Sequence, residues 1–434
     1  MSGSFASDLE ACQRLMRGGS HSFFVASRLL PRQAREAAIA LYAFCRVADD
    51  AIDELPLAHG NAEAQTRARR DQLEQLHRRL EALYAGQAFD HPADRAFAHV
   101  ALAYRLPVRL PQLLLEGFAW DLEGRRYCRI EELEAYAARV AGTVGAMMAL
   151  IMGVSQPQVL ARACELGLAM QLTNIARDVG ADARAGRLYL PLDWLVEARL
   201  DPERFLAEPL HGPQLGGVVA RLLAHADRLY KQADTAVDAL PWRCRPAIAA
   251  ASRVYAEIGR EVERSGLDAI NRRAVVPLRR KLALLGLSIV RVLGCSPVLG
   301  QRSQRFAMRD SVRDLVDAAL VGRPATGWIL PAATRQNRDP QQAPSQQALS
   351  QQARSQLGPS QQAPSQQGPL QQALSQQGPL QQALSQQALS QQAPSRQATG
   401  QGLRGFGQLA DLFERLERID REDRMRQHPG YREA

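Results

Sequence analysis

Lysine is almost missing from this chain of 434 residues: of its 54 basic side chains, all but Lys231 and Lys281 are arginine. Against 45 acidic residues these leave a formal charge of +9. Such an arginine excess is equally compatible with nucleic acid and with small anionic substrates, because the guanidinium fork matches phosphate and carboxylate oxygens. Position has to decide. No RNA-binding aromatic motif, zinc-finger spacing or clean basic helix accompanies the charge, so nucleic acid is not expected as a partner. Cysteine is sparse as well. Cys12, Cys45, Cys128, Cys164, Cys244 and Cys295 show no CxxC and no short spacing, which excludes a disulfide-dense secreted scaffold and a zinc ribbon.

Long apolar runs and alternating β-branched stretches are also absent. The most apolar late stretch, Leu282 to Val290, is broken by Arg291 and falls far short of the roughly 20 residues that span a bilayer. The segment from Met1 to Glu10 carries acids and no apolar core of a signal peptide. A cytoplasmic protein with reduced thiols is expected. Long Ala, Leu, Arg and Glu segments, punctuated by Pro31, Pro56, Pro92, Pro107, Pro191, Pro209 and Pro241, read as helices. The expected fold is all-α, with about ten helices packed around a common core.

This helical domain is expected over residues 1–310, with a linker over 311–340. From 341 to 400 the chain repeats Gln-Gln-Ala-(Pro/Leu)-Ser and its variants. A five-residue period lines no face of a helix or strand, and a tract with almost no aromatic or β-branched residues cannot offset its ordering entropy, so disorder is expected there. Over 401–434, Leu409, Leu412, Phe413, Leu416 and Ile419 recur at helical spacing, the pattern of a short amphipathic helix.

Two acidic stripes stand out in the helical part. Arg32 to Glu54 runs without Gly or Pro between Pro31 and Pro56. Leu41, Cys45, Ala48 and Ile52 share one face of that helix, and Asp49 and Asp53 stand at its edge one turn apart. Like charges at this spacing call for a counter-cation, which Arg46 would supply; Asp50 points away from the stripe and is expected either to face solvent or to support the site from behind. Further along, Gln171, Asn174, Asp178 and Asp182 fall on one helix face among Met170, Leu172 and Ile175, with Arg184, Arg187 and Tyr189 just beyond. Carboxylates on two helices with adjacent arginines suit Mg²⁺ shared with phosphate oxygens, since Mg²⁺ prefers oxygen ligands and seldom gets an all-protein cage. Taken singly, either pair also reads as an ordinary solvated face. The histidines show no HExxH spacing, and the Gly18-Gly19 and Gly142–Gly145 pairs fit no phosphate-binding loop.

Several segments together resemble the squalene/phytoene synthase family. They are Gly19-Ser20-His21-Ser22-Phe23-Phe24, Leu41-Tyr42-Ala43-Phe44-Cys45-Arg46 with Asp49-Asp50-Ala51-Ile52-Asp53, Val140-Ala141-Gly142-Thr143-Val144-Gly145, and Gln171-Leu172-Thr173-Asn174-Ile175-Ala176-Arg177-Asp178 with Arg187-Leu188-Tyr189-Leu190-Pro191. Within the family the chain is most similar to the bacterial phytoene synthases, in order over about residues 5–300. The resemblance implies an isoprenoid-synthase-type helical bundle around a central cavity. It implies head-to-head joining of two geranylgeranyl diphosphates, through prephytoene diphosphate, to phytoene with release of diphosphate. It further implies Mg²⁺ or Mn²⁺ held by Asp49, Asp53, Asp178 and Asp182, with no need for NADPH. Arg46, Gln171, Asn174, Arg177, Arg187, Tyr189, Ser22 and Phe23 are then expected to bind or orient substrate. Where many relatives carry a second aromatic residue two positions before Val-Ala-Gly, this chain has Ala138, with Tyr136 two further back.

A dry, apolar wall with ring faces would shield an allylic cation from water; Phe23, Phe24, Phe44, Met147, Met148 and Met170 are candidates for it, and ordinary core packing accounts for each singly as well. A greasy product suggests peripheral contact with a membrane surface through Arg279, Arg280 and Lys281 and the apolar residues after them. No oligomeric state is implied. Squalene or dehydrosqualene synthesis on farnesyl diphosphate is the alternative within this chemistry. A non-catalytic, Gln-rich helical interaction protein is the alternative outside it.

Overall fold

The computed structural model describes residues 4–53, 62–87, 90–294 and 307–322. The chain divides into two units, Met1–Gln356 and Leu357–Ala434, and the second lies wholly outside the described residues, as do the repeat over 341–400 and the helix expected over 401–434. The all-α expectation agrees with the structure: among the described residues there is no strand. Helices α1 (Phe5–Gly19), α2 (His21–Ser27), α3 (Arg32–Asp53) and α4 (Ala62–Tyr84) come first. Next are α5 (Pro92–Tyr104), α6 (Arg109–Leu122), α7 (Ile130–Ala137) and α8 (Thr143–Ile151), the last two joined by a π-helical turn at Ala138–Gly142. The chain continues through α9 (Pro157–Arg184), α10 (Leu192–Glu197), α11 (Pro202–Ala207) and α12 (Pro213–Asp234), then α13 (Arg245–Arg264), α14 (Leu278–Gly294) and α15 (Asp310–Leu320).

Local chemistry sets these boundaries. Pro92, Pro157, Pro202 and Pro213 occupy first-turn positions, where a missing N–H costs nothing. The Ser4 and Ser20 hydroxyls accept from the amides of Ser7 and Phe23, and Asp201 does the same for Arg204, so each helix start has one orphan donor satisfied. The expected span of the first acidic helix agrees with α3 to within one residue.

α9 is the spine of the bundle: α8, α12, α13, α15 and the π turn all pack on it. Leu160, Leu168, Leu172, Ile175 and Ala176 are almost wholly buried along it. The crossing with α8 and the π turn is unusually close because glycines face backbone in both directions. A Cβ on Gly145 would stand 2.2 Å from the Ala163 carbonyl oxygen, and one on Gly167 would stand 2.3 Å from that of Ala141. The Val-Ala-Gly-Thr-Val-Gly segment thus serves helix approach and not a phosphate loop.

One boundary differs from expectation. The segment expected as a linker from residue 311 opens with helix α15, whose Val312, Leu315, Val316 and Ala319 are buried against α9, α6 and α8. Eleven residues give only three turns, a short span for a periodic signal to stand out. Because the α9 crossing has no room for a side chain, Gly167→Ala is expected to lose about 1–3 kcal/mol of unfolding free energy. Gly217→Ala, on α12 with open space around it, is expected to gain about 0.5–1 kcal/mol. Chemical denaturation of both variants measures the difference in sign.

Candidate active site

The C-terminal half of α9 carries the second acidic stripe. Arg177 donates to both oxygens of Asp178, through Nε at 2.9 Å and through Nη2, and Arg273 adds Nε to Oδ1 at 2.9 Å. Burial pushes the Asp178 carboxyl upward, but those hydrogen bonds outweigh it and hold the group below its ordinary range. Asp182, one turn on, is the opposite case. Burial, then the charges of Asp178 and Asp121, raise it to about 7, with Arg187 and Arg177 opposing. The Arg187 amide also closes onto the Asp182 carbonyl at 2.8 Å, which turns the chain back toward the acids just after α9.

Asp121, near the C-terminal end of α6, was not singled out from the sequence. It accepts from the Tyr136 hydroxyl at 2.9 Å and from the Tyr189 hydroxyl at 2.7 Å. These two rings stack at 5.2 Å between centroids, and Tyr127 joins them at 5.3 and 6.4 Å. Tyr189, expected beside substrate, therefore faces Asp121, and Tyr136 stands with it although the aromatic position before Val-Ala-Gly is shifted. Asp121 has no second acid at helical spacing, so a search for paired carboxylates passes over it. Arg273 is 95 residues from Asp178 in sequence and carried no local signal.

On α3 the counter-cation is arranged differently from expectation. Arg46 gives Nε to Asp50 at 3.0 Å and reaches Asp49 only at 3.7 Å. The cause is angular: residue 50 lies about 40° from residue 46 on a helical wheel and residue 49 about 60° to the other side. Asp50 is the main holder of Arg46, which agrees with the supporting role among its two expected readings. The side chain of Asp53 lies outside the described residues. A cavity of about 540 Å³ opens on the Asp50 side, lined by Arg14, Leu15, Gly19, Arg46 and His91 among others, and none of Asp121, Asp178 or Asp182 lines it.

A run of rings leads from α3 toward α9. Tyr42 lies 6.1 Å from Phe23, and Phe23 lies 4.9 Å from Tyr255 of α13, centroid to centroid. The charges of Arg46 and Asp49 are felt at the Tyr42 hydroxyl, and that of Arg177 at the Tyr255 hydroxyl, to which Ser20 is hydrogen-bonded. Tyr42 and Tyr255 are thus functional candidates that sequence reading left without a role. Ser22 and Phe23 are half-buried on α2, and Gln171 and Asn174 are half-buried on α9. Phe44 stacks on Phe97 at 4.2 Å, and Met147 is fully buried; both are core residues. Phe24 is buried, while Met148 and Met170 are half-buried.

This donor set fits a divalent cation. At Asp182, burial and the charges of Asp178 and Asp121 outweigh those of Arg187 and Arg177 and raise the carboxyl to about 7, so added positive charge there is favourable. Among the described residues no group of three His, Cys, Asp or Glu side chains is arranged to hold an ion alone. Mg²⁺ does not need one, since it keeps several waters and takes one or two carboxylates plus phosphate oxygens.

A family model described as squalene/phytoene synthase matches residues 16–280. A phytoene synthase of Cereibacter sphaeroides is 49% identical over 322 residues, covering 74% of this chain and 90% of that protein. A phytoene synthase of Rhodobacter capsulatus is 49% identical over 312 residues, covering 72% and 90%. Among solved structures, a dehydrosqualene synthase in complex with a ligand superposes with a TM-score of 0.59 at 29% identity, covering 67% of this chain and 98% of that one.

The raised Asp182 carboxyl gives a pH dependence of stability. A carboxyl that holds its proton more tightly folded than unfolded stabilises the fold most at low pH, and the contribution is lost as pH rises through the folded value. In metal-free buffer, the wild-type stability minus that of Asp182→Asn is therefore expected to fall between about pH 4, the unfolded range, and about pH 7. A difference curve that is flat across this window would show that Asp182 is not in the environment described.

Proposed function

This chain belongs to the squalene/phytoene synthase family, and from that premise we propose that it is a phytoene synthase, a prenyltransferase that joins two geranylgeranyl diphosphates head to head to give phytoene. The observation that carries the chemistry is the acidic wall of Asp178, Asp182 and Asp121, in which Asp182 is raised to about 7, set beside Arg177, Arg187 and Arg273. Diphosphate leaves an allylic carbon only when the charge it takes away is balanced. Asp178 and Asp182, with Asp49 and Asp53 on α3, would hold Mg²⁺ or Mn²⁺, which supplies Lewis-acid neutralisation of the departing diphosphate. Arg177 and Arg273 already form hydrogen-bonded forks on Asp178, geometry that suits phosphate oxygens equally well. The rings of Phe23, Tyr42 and Tyr255 offer electron-rich faces to a carbocation. Ser22, Gln171 and Asn174 orient the diphosphate, and Arg46 steadies it from α3. No reductant takes part in this reaction.

Relatives named phytoene synthase at 49% identity favour the 20-carbon substrate. The structural likeness to a dehydrosqualene synthase makes farnesyl diphosphate the competing substrate. Incubation of the purified protein with Mg²⁺ and each diphosphate, with and without NADPH, separates the two. The expected result is a 40-carbon product from geranylgeranyl diphosphate without NADPH. A 30-carbon product in preference would replace this reading by the second. Asp178→Ala is expected to lower kcat by at least about 100-fold, as loss of charge stabilisation at the reacting group does; turnover near the wild-type rate would remove the acidic wall from the mechanism.

We further infer a cytoplasmic enzyme that meets its greasy substrate at a membrane surface through α14. Among the described residues no helix is long and apolar enough to cross a membrane. On α14, Leu284, Leu285 and Ser288 are buried, whereas Arg279, Arg280, Leu287 and Val290 are exposed. Basic residues beside exposed aliphatic ones match an anionic lipid interface. Co-sedimentation with anionic phospholipid vesicles is expected at low salt and is expected to weaken at about 0.5 M salt, where charges are screened within a few ångströms. Absence of binding at low salt would discard the membrane contact.

A further inference from the structure

Glu134 sits on α7 two residues before Tyr136, so at about 100° per residue the two side chains leave the helix about 200° apart. Tyr136 reaches Asp121; Glu134 reaches the other way, into a buried polar cluster. Its Oε1 accepts from His225 Nε2 of α12 at 2.6 Å and from Arg309 Nη1 at 2.9 Å, and its Oε2 accepts from the Ser311 hydroxyl at 3.2 Å. Arg228 donates to His225 Nδ1 at 2.9 Å, which fixes the ring proton on Nε2, where Glu134 takes it. Arg309 also gives Nη2 to Gln232 of α12 at 3.3 Å and stands 3.9 Å from Glu165 of α9. Burial works to raise Glu134, but the bonds from its three partners prevail and keep it ionised below its ordinary range.

The π turn explains why α7 needs this anchor. A π turn inserts a residue into the helical register, so the phase of α8, fixed by its glycine contacts with α9, is not carried back through Ala138–Gly142 into α7. The rotation of α7 must be set separately. Leu315 of α15 lies against the same turn, 2.9 Å from where a Gly142 Cβ would stand. Arg309 therefore links α7, α9 and α12 from the foot of a helix that begins 30 residues after the family match at 280 has ended.

We propose that Arg309 is a positioning residue for the synthase reaction: by gripping Glu134 it sets the rotation of α7 and so holds the Tyr136 hydroxyl on Asp121. It touches no substrate. The proposal rests on Tyr136 and Asp121 belonging to the active site, and the test keeps the two ideas apart.

The experiment is a double-mutant cycle in the full chain, reading kcat, KM and thermal midpoint for Arg309→Met, Tyr136→Phe and the pair. Arg309→Met is expected to lower kcat about 10-fold with KM within about twofold, and Arg309→Lys is expected to restore most of the loss. In the Tyr136→Phe background the Arg309→Met factor is expected to shrink to about twofold or less, since both changes act on one hydroxyl. Val316→Ala on α15 is the stability control, expected to lower the midpoint with little change in kcat. Ser311→Ala gives a milder version of the same cycle where Arg309→Met does not fold. Wild-type kcat in a folded Arg309→Met protein, or factors that multiply fully in the pair, would overturn the proposal. Wild-type kcat in Tyr136→Phe alone would instead overturn the placement of that hydroxyl in the active site.

Discussion

Carboxylates crowded into a partly dry cleft have to be neutralised, and the arrangement around the end of α9 follows from that constraint. Asp178 meets it with two arginines, one from the neighbouring position and one from far along the chain. Asp121 meets it with two tyrosine hydroxyls. At Asp182 burial and two like charges outweigh the opposing charges of Arg187 and Arg177. The three acids thus form a graded series, from Asp178 with two guanidinium partners to Asp182, where burial and like charges outweigh the arginines. An apolar substitute would pack as well, so the acids are explained by chemistry and not by stability.

This charge arrangement needs a rigid floor, and the glycines provide it. Gly145 and Gly167 let α8 and α9 approach until backbone meets backbone, which removes the freedom to slide that larger side chains would permit. The same closeness places the π turn at the crossing, directly after the helix that carries Tyr136. Packing and chemistry therefore meet within about two helical turns.

Much of this was readable from the sequence where partners lie within a turn or two of one helix. The apolar periodicity and the flanking prolines Pro31 and Pro56 delimited α3, and the i,i+4 spacing picked out Asp178 and Asp182. Contacts between distant segments were not readable. Asp121 meets Tyr189 across 68 positions and Arg273 meets Asp178 across 95, and neither pairing leaves a local pattern. Arg46 was assigned to Asp49, which it does meet, but its closer hold on Asp50 was not readable, because charge sign alone does not rank the i+3 and i+4 neighbours. Helix α15 was missed because its buried stripe of Val312, Leu315, Val316 and Ala319 is too brief to stand out from the chain around it.

The reach of Arg309 also bears on how the catalytic unit is delimited. The family model matches only as far as residue 280, and a protein trimmed to that limit would keep Glu134 enclosed with His225 but without its guanidinium. Removing one member of an enclosed ion pair costs on the order of 3–5 kcal/mol, a large part of what holds an ordinary domain together. Grafts, fusions and shortened versions of this enzyme therefore have to retain residues 307–322, and the functional edge of the enzyme is drawn by an electrostatic tie that lies beyond the family model.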